Sequence, residues 1–443
     1  MLATTIDARP TKKLFIAMLI KDITLNDAIG DLIDNCVDGA LKLRSDRDYS
    51  GLNIRIIANS DQFVIEDNCS GIDEDTAINY AFRFGRTDNT PSLPKSVGQF
   101  GIGMKRALFK LGNKFTIEST SEKFRFQLVV NVTDWKTKED EWSFTFDTIE
   151  RPNGNDVYPT EQRGTKIVVT DLHEDVKKKF GLENFINDLS GEIRLEHLAN
   201  IERGIKIEIN NQEITSLEPL LIKSNDIKPA YWEKSFEIGL GVKIVVGISE
   251  RNLNYGGWYI FCNERMTLGP EQTSKTGWGV KKPISIPKYH NQFDRFRGFV
   301  YFDSEDTSLL PWNSSKNDID KDSPLYLSIK QQMVIMMRPV IDFLNKVHDE
   351  SNPKYEEKPL REKLQEGDAS TIALNKIFEN HSDLISDFIY PDIENKSIDN
   401  LIEVSYYQPK HKVEKAMQET GIETISELGS ASFDYFYSKE IGD

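Results

Sequence analysis

The sequence predicts an α/β protein with two or three domains, and three observations favour this class. Residues 24–44 have the apolar spacing of an amphipathic helix, and two short runs rich in β-branched residues follow directly. Near residue 205 a second region with alternating strand and helix patterns begins. The chain has 443 residues, which is too long for one ordinary core. We therefore expect two α/β regions, followed by a mostly helical segment over 370–443.

Composition and charge argue against several classes of protein. The three cysteines form no CxxC pair and no HExxH occurs, so neither a zinc site nor a disulfide framework is indicated. The net charge of −16 argues against nonspecific binding of duplex DNA by the whole surface. Residues 281–297 are basic and aromatic, which is typical of a strand edge with solvated lysines or of a local nucleic-acid contact. No apolar run is long enough to span a bilayer and the N-terminus lacks the order of a signal peptide, so we expect a cytoplasmic protein without membrane contact.

The first predicted helix carries a polar triplet, and Thr24 or Asp22 can cap its beginning. Asp31, Asn35 and Asp38 are spaced i, i+4 and i+7, so they lie on one helix face, opposite much of the apolar stripe. A solvated polar face explains such a triplet. The alternative is a carboxylate that orients a water, one turn from an amide oxygen that ligates magnesium, since magnesium prefers hard oxygen ligands.

A predicted β-hairpin leads to an acidic turn. Its strands are residues 53–58 and 62–66, and Asp67 begins the turn that ends at Gly71. An aspartate at the end of a strand can accept the exocyclic amine of adenine, which selects adenine over guanine. A simple Asx turn explains the same residues.

A glycine-rich turn precedes a predicted helix over 104–111. Its glycines allow a polyanion to approach the backbone, and the helix N-terminus presents free N–H groups. It matches neither the GxxxxGK[ST] nor the GxGxxG pattern, and a purely structural turn remains the alternative. The residues of this turn are Gly98, Gln99, Phe100, Gly101, Ile102, Gly103, Met104 and Lys105.

The remaining elements are predicted from local composition. Residues 84–97 hold turn-forming residues without strand or helix periodicity, which indicates a lid-like loop. A Gly-Thr pair at Thr165 begins a strand and can place a hydroxyl beside a base. Strands of the first region are expected over 114–120, 124–133, 141–148 and 165–171. In the second region we expect strands over 205–209, 242–246, 258–262 and 299–302, a helix over 324–347, and then a charged linker or exposed helix.

Taken in order, these pieces resemble the GHKL ATPases, the group of the gyrase B-subunit, heat-shock chaperones, histidine kinases and MutL. The N-box corresponds to DLIDNCVDGA, the first glycine box to EDNCSGI and the second to GQFGIGMKRA, within residues 24–171. The resemblance implies a Bergerat-type α/β sandwich over residues 1–200. A smaller α/β transducer-like domain is expected over 201–347 and a helical C-terminal region over 348–443.

Further segments are most similar to MORC-type ATPases, among them FGRT before the lid and GQFGIGMKRALFKLG after it. GWYIFCNERMTLGPE is similar to a strand-turn of the MutL transducer domain, and LLPWNSSKNDID to the segment that delivers a lysine to the γ-phosphate. This match assigns Lys316 as that lysine, with a solvated loop lysine as the alternative. Two positions depart from the family pattern: Asp31 stands in place of the usual glutamate, and Cys69 in place of the first glycine of DxGxG.

The resemblance implies magnesium-dependent hydrolysis of ATP. Asn35 would hold magnesium, Asp67 would read adenine with Gly71 and Thr165, and backbone amides of the glycine turn would wrap the phosphates. Asp31 would orient the attacking water and Lys316 would stabilise charge on the γ-phosphate.

At the level of the whole molecule, the resemblance implies an ATP-gated homodimeric clamp on DNA or a protein partner, compatible with DNA remodelling or prokaryotic defence. An ATP-sensing module with little turnover is the alternative, because Asp31 is one methylene shorter than glutamate. A histidine kinase is disfavoured, because Asp31 lies too near the N-terminus for a phosphoacceptor domain upstream.

Overall fold

The computed structural model divides the chain into two compact units, Met1–Glu350 with Pro359–Ile393, and Ser351–Lys358 with Glu394–Asp443. It describes residues 8–85, 94–97, 101–216, 220–313, 316–352, 355, 357–365, 370–373, 387–393, 402, 404–422 and 424–442.

Two helices open the first unit, α1 (Lys12–Lys21) and α2 (Leu25–Leu43). Helix α2 begins at Leu25 because Thr24 and Asp27 form a capping box. The Thr24 hydroxyl accepts the Asp27 N–H, and the Asp27 carboxylate accepts the Thr24 N–H, each at 3.1 Å. The predicted helix is confirmed, with Thr24 as its cap.

The first sheet contains eight strands in the order β5-β4-β3-β6-β2-β1-β7-β8. The predicted hairpin is confirmed, since β1 and β2 pair antiparallel. Strand β6 lies between β3 and β2, which places the 164–172 segment in the centre of the sheet. The strands are β1 (Asn53–Ala58), β2 (Phe63–Asp67), β3 (Gly112–Thr120), β4 (Arg125–Asn131), β5 (Thr148–Glu150), β6 (Gly164–Leu172), β7 (Lys206–Ile209) and β8 (Gln212–Glu213).

A helical layer shares one core with this sheet. Helices α2 and α4 pack against each other, and Ile29, Ala107 and Ile54 are fully buried between helices and strands. The helices of this layer are α3 (Glu74–Thr76, continued by a π-helical turn at Ala77–Ala81), α4 (Gly103–Leu111), α5 (Val132–Thr137), α6 (Glu174–Phe180), α7 (Glu183–Glu196) and α8 (Leu198–Glu202). The predicted α/β class is thereby confirmed for this region.

Two strand predictions in this region are corrected. The strand expected over 124–133 ends at Asn131, whose side chain accepts the N–H groups of the first turn of α5. The strand expected over 141–148 is absent except for β5. Trp142 and Phe144 instead pack on Trp135 in an aromatic cluster, so apolar contacts determine this segment rather than a strand ladder.

The strand predicted near residue 205 completes the first sheet instead of opening the second region. Strand β7 pairs parallel with β1, and β8 pairs with β7. Parallel pairing joins segments that are distant in sequence, so no local turn signal announces it.

A second sheet of five strands follows, in the order β10-β11-β14-β12-β13. The long helix α9 (Pro324–Asp349) packs on β11, and its Met337 and Ile341 are fully buried in the core that it shares with this sheet. The predicted strands over 242–246, 258–262 and 299–302 and the helix over 324–347 are confirmed. Its strands, with the separate β9, are β9 (Leu220–Lys223), β10 (Ala230–Phe236), β11 (Leu240–Ile248), β12 (Gly257–Cys262), β13 (Arg265–Glu271) and β14 (Phe296–Ser304).

The basic stretch 281–297 is not simply a strand edge. Residues 281–290 form no strand, and Arg297 at the beginning of β14 is buried. The Arg297 guanidinium donates to the backbone oxygens of Asp294 and Phe296. Arg297 therefore stabilises the backbone conformation of the residues at the beginning of β14.

The C-terminal part contributes to both units. Helix α10 (Pro359–Gln365) and strand β15 (Ser370–Ala373) belong to the first unit, where β15 pairs antiparallel with β9. In the second unit the predicted helical tail is confirmed by α11 (Lys410–Thr420) and α12 (Ile425–Glu440). Within the described ranges, no helix combines the length and the apolar character that crossing a membrane requires.

Candidate active site

Helix α2 places three polar side chains in different environments. Asp31 is only 3% exposed, so a solvated polar face is wrong for this residue. Asn35 is exposed, and its Nδ2 donates to the Asp31 backbone oxygen at 2.7 Å. Asp38 accepts the Val97 N–H at 2.8 Å, which ties the end of the predicted lid loop to the helix.

The Asp31 carboxylate lies between two cations. Arg106 of α4 donates from Nε to Oδ2 at 2.7 Å, and Lys316 Nζ lies 3.5 Å from Oδ1. Gly103 of α4 faces the same carboxylate, because a Cβ at this position would lie 3.1 Å from Asp31 Cγ. The N-terminus of α4 therefore approaches Asp31 more closely than a larger residue allows.

Lys316 reaches the N-box from the second region. It is buried, and its ammonium donates to Asp34 Oδ2 at 2.8 Å. Its backbone φ is 58°, a left-handed conformation that residues with a Cβ adopt rarely. Such strain persists where the surrounding structure determines it, and it clusters at functional sites. The structure therefore brings together two predicted site residues, Asp31 and Lys316, that are 285 positions apart.

Arg265 and Asp34 join this group, and sequence reasoning missed both. At the beginning of β13, Arg265 donates to Asp34 Oδ1 at 2.7 Å, to Glu196 Oε2 at 3.2 Å and to the Lys316 backbone oxygen at 3.0 Å. Burial opposes ionisation of Asp34, but the charges of Arg265 and Lys316 outweigh it and hold the Asp34 pKa well below its usual range. The available signal was the position of Asp34 three residues after Asp31 on the same helix.

Two further ionisable groups border Arg265. Burial raises the pKa of Glu196 to about 7, although Arg265 favours its ionised form. Burial lowers the pKa of His197 to about 4, so this imidazole is neutral at pH 7. At pH 7 the buried Asp34 carboxylate is therefore ionised and lies beside a neutral His197.

A second group of predicted site residues lies where β2 and β6 pair. Asp67 is directly opposite Thr165 in the antiparallel register. Asp67 Oδ1 accepts the Cys69 N–H at 2.8 Å, and burial raises the pKa of this carboxyl to about 6. The Thr165 hydroxyl lies 2.9 Å from that of Ser119, a buried residue of β3 that the sequence did not indicate.

Glycines allow the strand ends to meet at this corner. Gly71 has φ 65°, and a Cβ there would lie 2.0 Å from the Thr120 carbonyl oxygen. A Cβ at Gly164 would lie 2.0 Å from the Asp67 carbonyl oxygen. The left-handed residue of the first glycine box is thus Gly71, and Cys69 has no positive φ, so its departure from the family pattern leaves the turn intact.

The second glycine box is described from Gly101 onward, and Gly98, Gln99 and Phe100 lie outside the described residues, as do Arg86 and Thr87. Gly101 has φ 65°, and Ile102 at the N-cap of α4 provides no side-chain hydrogen bond. Among the described residues, no hydrogen bond is seen for the Gly103 and Met104 N–H groups at the beginning of α4, so they remain for an anion. The Lys105 ammonium donates to the backbone oxygens of Gly101 and Ala81, so it supports the turn.

Part of the chain matches a known family. Residues 23–165 match a family model described as "Histidine kinase-, DNA gyrase B-, and HSP90-like ATPase". This segment belongs to the GHKL ATPase superfamily. No curated protein matches the chain.

The matched segment of the GHKL domain runs from just before α2 to the beginning of β6, so it includes the predicted N-box and both glycine boxes. Arg265 and Lys316 lie beyond it, in the second region. The family therefore supports ATP binding by the domain itself, and the contacts of these two cations are additional findings of the structure.

Asn35 of the GHKL domain fits a magnesium ligand. Its Nδ2 is bound to the backbone of its own helix, so Oδ1 remains to accept or ligate, and the side chain is exposed. One amide oxygen suffices for magnesium that also binds phosphates and waters. Among the residues that the structure describes, no group of three or more His, Cys, Asp or Glu side chains can hold a metal.

Proposed function

We propose that the chain is a magnesium-dependent ATPase that converts ATP to ADP and phosphate. The observation that carries this proposal is the contact of Lys316 with the two N-box aspartates, at 3.5 Å from Asp31 and 2.8 Å from Asp34. A buried lysine delivered from the second region to this helix is expected for a group that acts on the terminal phosphate. A solvated loop lysine would lie elsewhere.

The binding roles follow from the two groups of residues. Asp67 accepts the adenine amine, with Gly71 and Thr165 shaping the same corner. Backbone amides of the 98–105 turn hold the phosphates at the beginning of α4. Magnesium, ligated by Asn35, neutralises phosphate charge.

For the chemical step, Asp31 orients the attacking water beside the γ-phosphate. Its oxygens face Arg106 and Lys316. When Lys316 turns to the γ-phosphate, Oδ1 becomes available to the water. Phosphoryl transfer needs mainly such positioning and electrostatic stabilisation.

At the level of the assembly, we propose an ATP-gated homodimeric clamp of the MORC type in the cytoplasm. The contacts of Arg265 and Lys316 with α2 give the second region a direct response to the nucleotide. A transducer that shifts with the nucleotide is what a clamp requires. DNA or a protein is the proposed partner, in DNA remodelling or in prokaryotic defence.

An ATP-sensing module is the second candidate, and a specific observation favours it. Asp31 is shorter than the glutamate of the family, and cations occupy both of its oxygens. Such a site can bind ATP and change conformation with little turnover. A histidine kinase, the third candidate, would transfer labelled phosphate to protein.

Hydrolysis under single-turnover conditions, measured beside ATP affinity, tests the proposal. Wild type should hydrolyse ATP, and Lys316→Met should bind ATP yet hydrolyse it about a hundredfold more slowly. The exposed Lys321 of the same segment provides a matched control, and Lys321→Met should behave as wild type. Binding without turnover in wild type would favour the sensing module, and equal rates in Lys316→Met would reject the role of Lys316.

A further inference from the structure

We infer that Arg106 is a second catalytic cation, whose guanidinium binds the γ-phosphate from the GHKL domain itself. The inference rests on the proposed function, because it requires ATP at the beginning of α4.

The two neighbouring cations of the second glycine box differ in what holds them. The Lys105 ammonium donates to backbone oxygens of Ala81 and Gly101, so it is committed to the fold of the turn. Arg106 uses Nε for Asp31 Oδ2, at 2.7 Å. The structure gives its two terminal amino groups no partner within the described part of the chain.

The direction of the Arg106 side chain follows from helix geometry. Arg106 is the fourth residue of α4 and contacts Asp31, and a Cβ added at Gly103, three positions earlier, would meet the same carboxylate. Helical side chains lean toward the N-terminus of their helix. The guanidinium therefore lies over the first turn of α4, where uncapped N–H groups are available to an anion.

The burial of Arg106 strengthens its action on a phosphate. The residue is 6% exposed, and a guanidinium in such a site binds phosphate oxygens through paired N–H groups. Asp31 fixes the planar group by Nε and leaves the fork of terminal amino groups for the ligand. The same carboxylate thus orients the arginine on one side and the water on the other.

In the proposed step, the water oxygen forms a bond to the γ-phosphorus while the bond to the β–γ bridging oxygen breaks. The electron pair of that bond stays on ADP, and the water proton passes to Asp31. Arg106 and Lys316, which contact different oxygens of the Asp31 carboxylate, both stabilise the charge on the γ-phosphate oxygens.

A double-mutant cycle separates this role from mere positioning of Asp31. Affinities for ADP and for a non-hydrolysable ATP analogue, both with magnesium, are measured for wild type, Arg106→Gln, Asp31→Asn and the double variant. If Arg106 binds the γ-phosphate, Arg106→Gln should weaken the ATP analogue about ten- to hundredfold and ADP less than about threefold. The same selective loss should appear when the double variant is compared with Asp31→Asn.

Lys110→Gln is the matched control, since it removes one positive charge from the same helix at a side chain that contacts the Ile20 backbone oxygen. Its ratio of the two affinities should equal that of wild type. If Arg106→Gln alone fails to fold, the comparison of the double variant with Asp31→Asn still decides, because it removes the buried ion pair as a unit.

Two results would overturn the inference while the proposed function stands. One is an unchanged ratio of ATP-analogue to ADP affinity in Arg106→Gln with normal hydrolysis by wild type. The other is a selective loss that disappears in the Asp31→Asn background, which would make Arg106 a positioning residue only. Absence of nucleotide binding by wild type would reject the proposed function and the inference together.

Discussion

At the scale of single residues, burial sets the chemistry of the two carboxylates that matter most. Asp31 is buried between Arg106 and Lys316, and Asp67 lies at the strand end opposite Thr165. Cations neutralise the first, whereas among the described residues the second is met by hydrogen-bond donors such as the Cys69 N–H. The two aspartates should therefore respond differently to the same substitution.

For Asp31, replacement by asparagine keeps the shape and the acceptor for Arg106 but removes the charge. ATP affinity should survive, while single-turnover hydrolysis should fall by about a hundred- to ten-thousandfold, as for loss of a general base. Asp31→Glu should keep or raise the rate if the short side chain limits it. Asp22→Asn, at an exposed position before α2, is the control. Equal rates in wild type and Asp31→Asn would contradict the catalytic role.

For Asp67, the raised pKa couples stability to pH. The carboxyl has a pKa of about 6 in the folded chain and near 4 when unfolded, so its ionisation destabilises the fold as pH rises from about 4 to 6. Asp67→Asn should therefore be more stable than wild type by up to about 3 kcal/mol at pH 7.5, and nearly equally stable near pH 4. Urea unfolding at both pH values measures this difference.

ATP binding by Asp67→Asn should be lost at every pH, because an amide cannot present two acceptors to adenine and its surroundings. In wild type, ATP affinity should decrease as pH falls below about 6, where the carboxyl gains its proton. The exposed Asp61, in the β1–β2 turn, serves as the control as Asp61→Asn. Calorimetry that finds wild-type ATP affinity in Asp67→Asn would show that the adenine site is misassigned.

At the scale of elements, the corner proposed to bind adenine depends on how closely the strand ends approach each other. The turn after β2 and the end of β3 meet at Gly71, where a Cβ would collide with the Thr120 carbonyl oxygen at 2.0 Å. The backbone on the other side is part of a strand ladder and cannot move independently of the sheet. The close approach at this corner therefore requires a residue without a side chain at position 71.

Gly71→Ala should reduce stability by several kcal/mol and weaken ATP binding. The reason is a clash with backbone in addition to the strain of φ 65°. Gly154→Ala is the control for backbone strain alone, because Gly154 has φ 56° and a Cβ added there would meet nothing within 4 Å. This variant should lose only about 1 kcal/mol of stability. Thermal unfolding of both variants measures the difference, and similar losses would disprove the close contact.

At the scale of the whole molecule, one arginine connects the second region to the N-box helix. Arg265 is 2% exposed and donates to Asp34, Glu196 and the Lys316 backbone. Loss of one member of a buried ion pair leaves an uncompensated charge. Arg265 therefore helps to position Lys316, although Arg265 itself has no predicted contact with the nucleotide.

Arg265→Met should destabilise the protein by about 3–5 kcal/mol, because Asp34 loses its closest cation. Hydrolysis should fall as well, since the Lys316 carbonyl loses its donor. The control is Arg55→Met, which breaks an ion pair with Glu208 between β1 and β7 at an exposed position and should cost at most about 1 kcal/mol. Chemical denaturation and hydrolysis assays compare the two, and equal stability losses would contradict the buried network.

Local patterns were sufficient for the elements that carry the site. The apolar spacing of α2 and its Thr24–Asp27 capping box are signals within one turn, and the β1–β2 hairpin follows from two strands separated by a short turn. The N-box and the two glycine boxes are short contiguous motifs, so they can be recognised in the sequence. Their order along the chain predicted the superfamily. These features depend on neighbours along the chain, so local sequence patterns predict them.

Tertiary structure decided what the local signals do not encode. The apolar period shows that a helix has a buried face but not which distant side chain meets its polar residues, and Lys316 and Arg265 reach α2 from 282 and 231 positions away. The parallel pairing of β7 with β1 likewise lacks a connecting turn that a short window can detect. The buried Asp34 carboxylate is stable because Lys316 and Arg265 lie beside it, since an unpaired charge in a protein core is unfavourable.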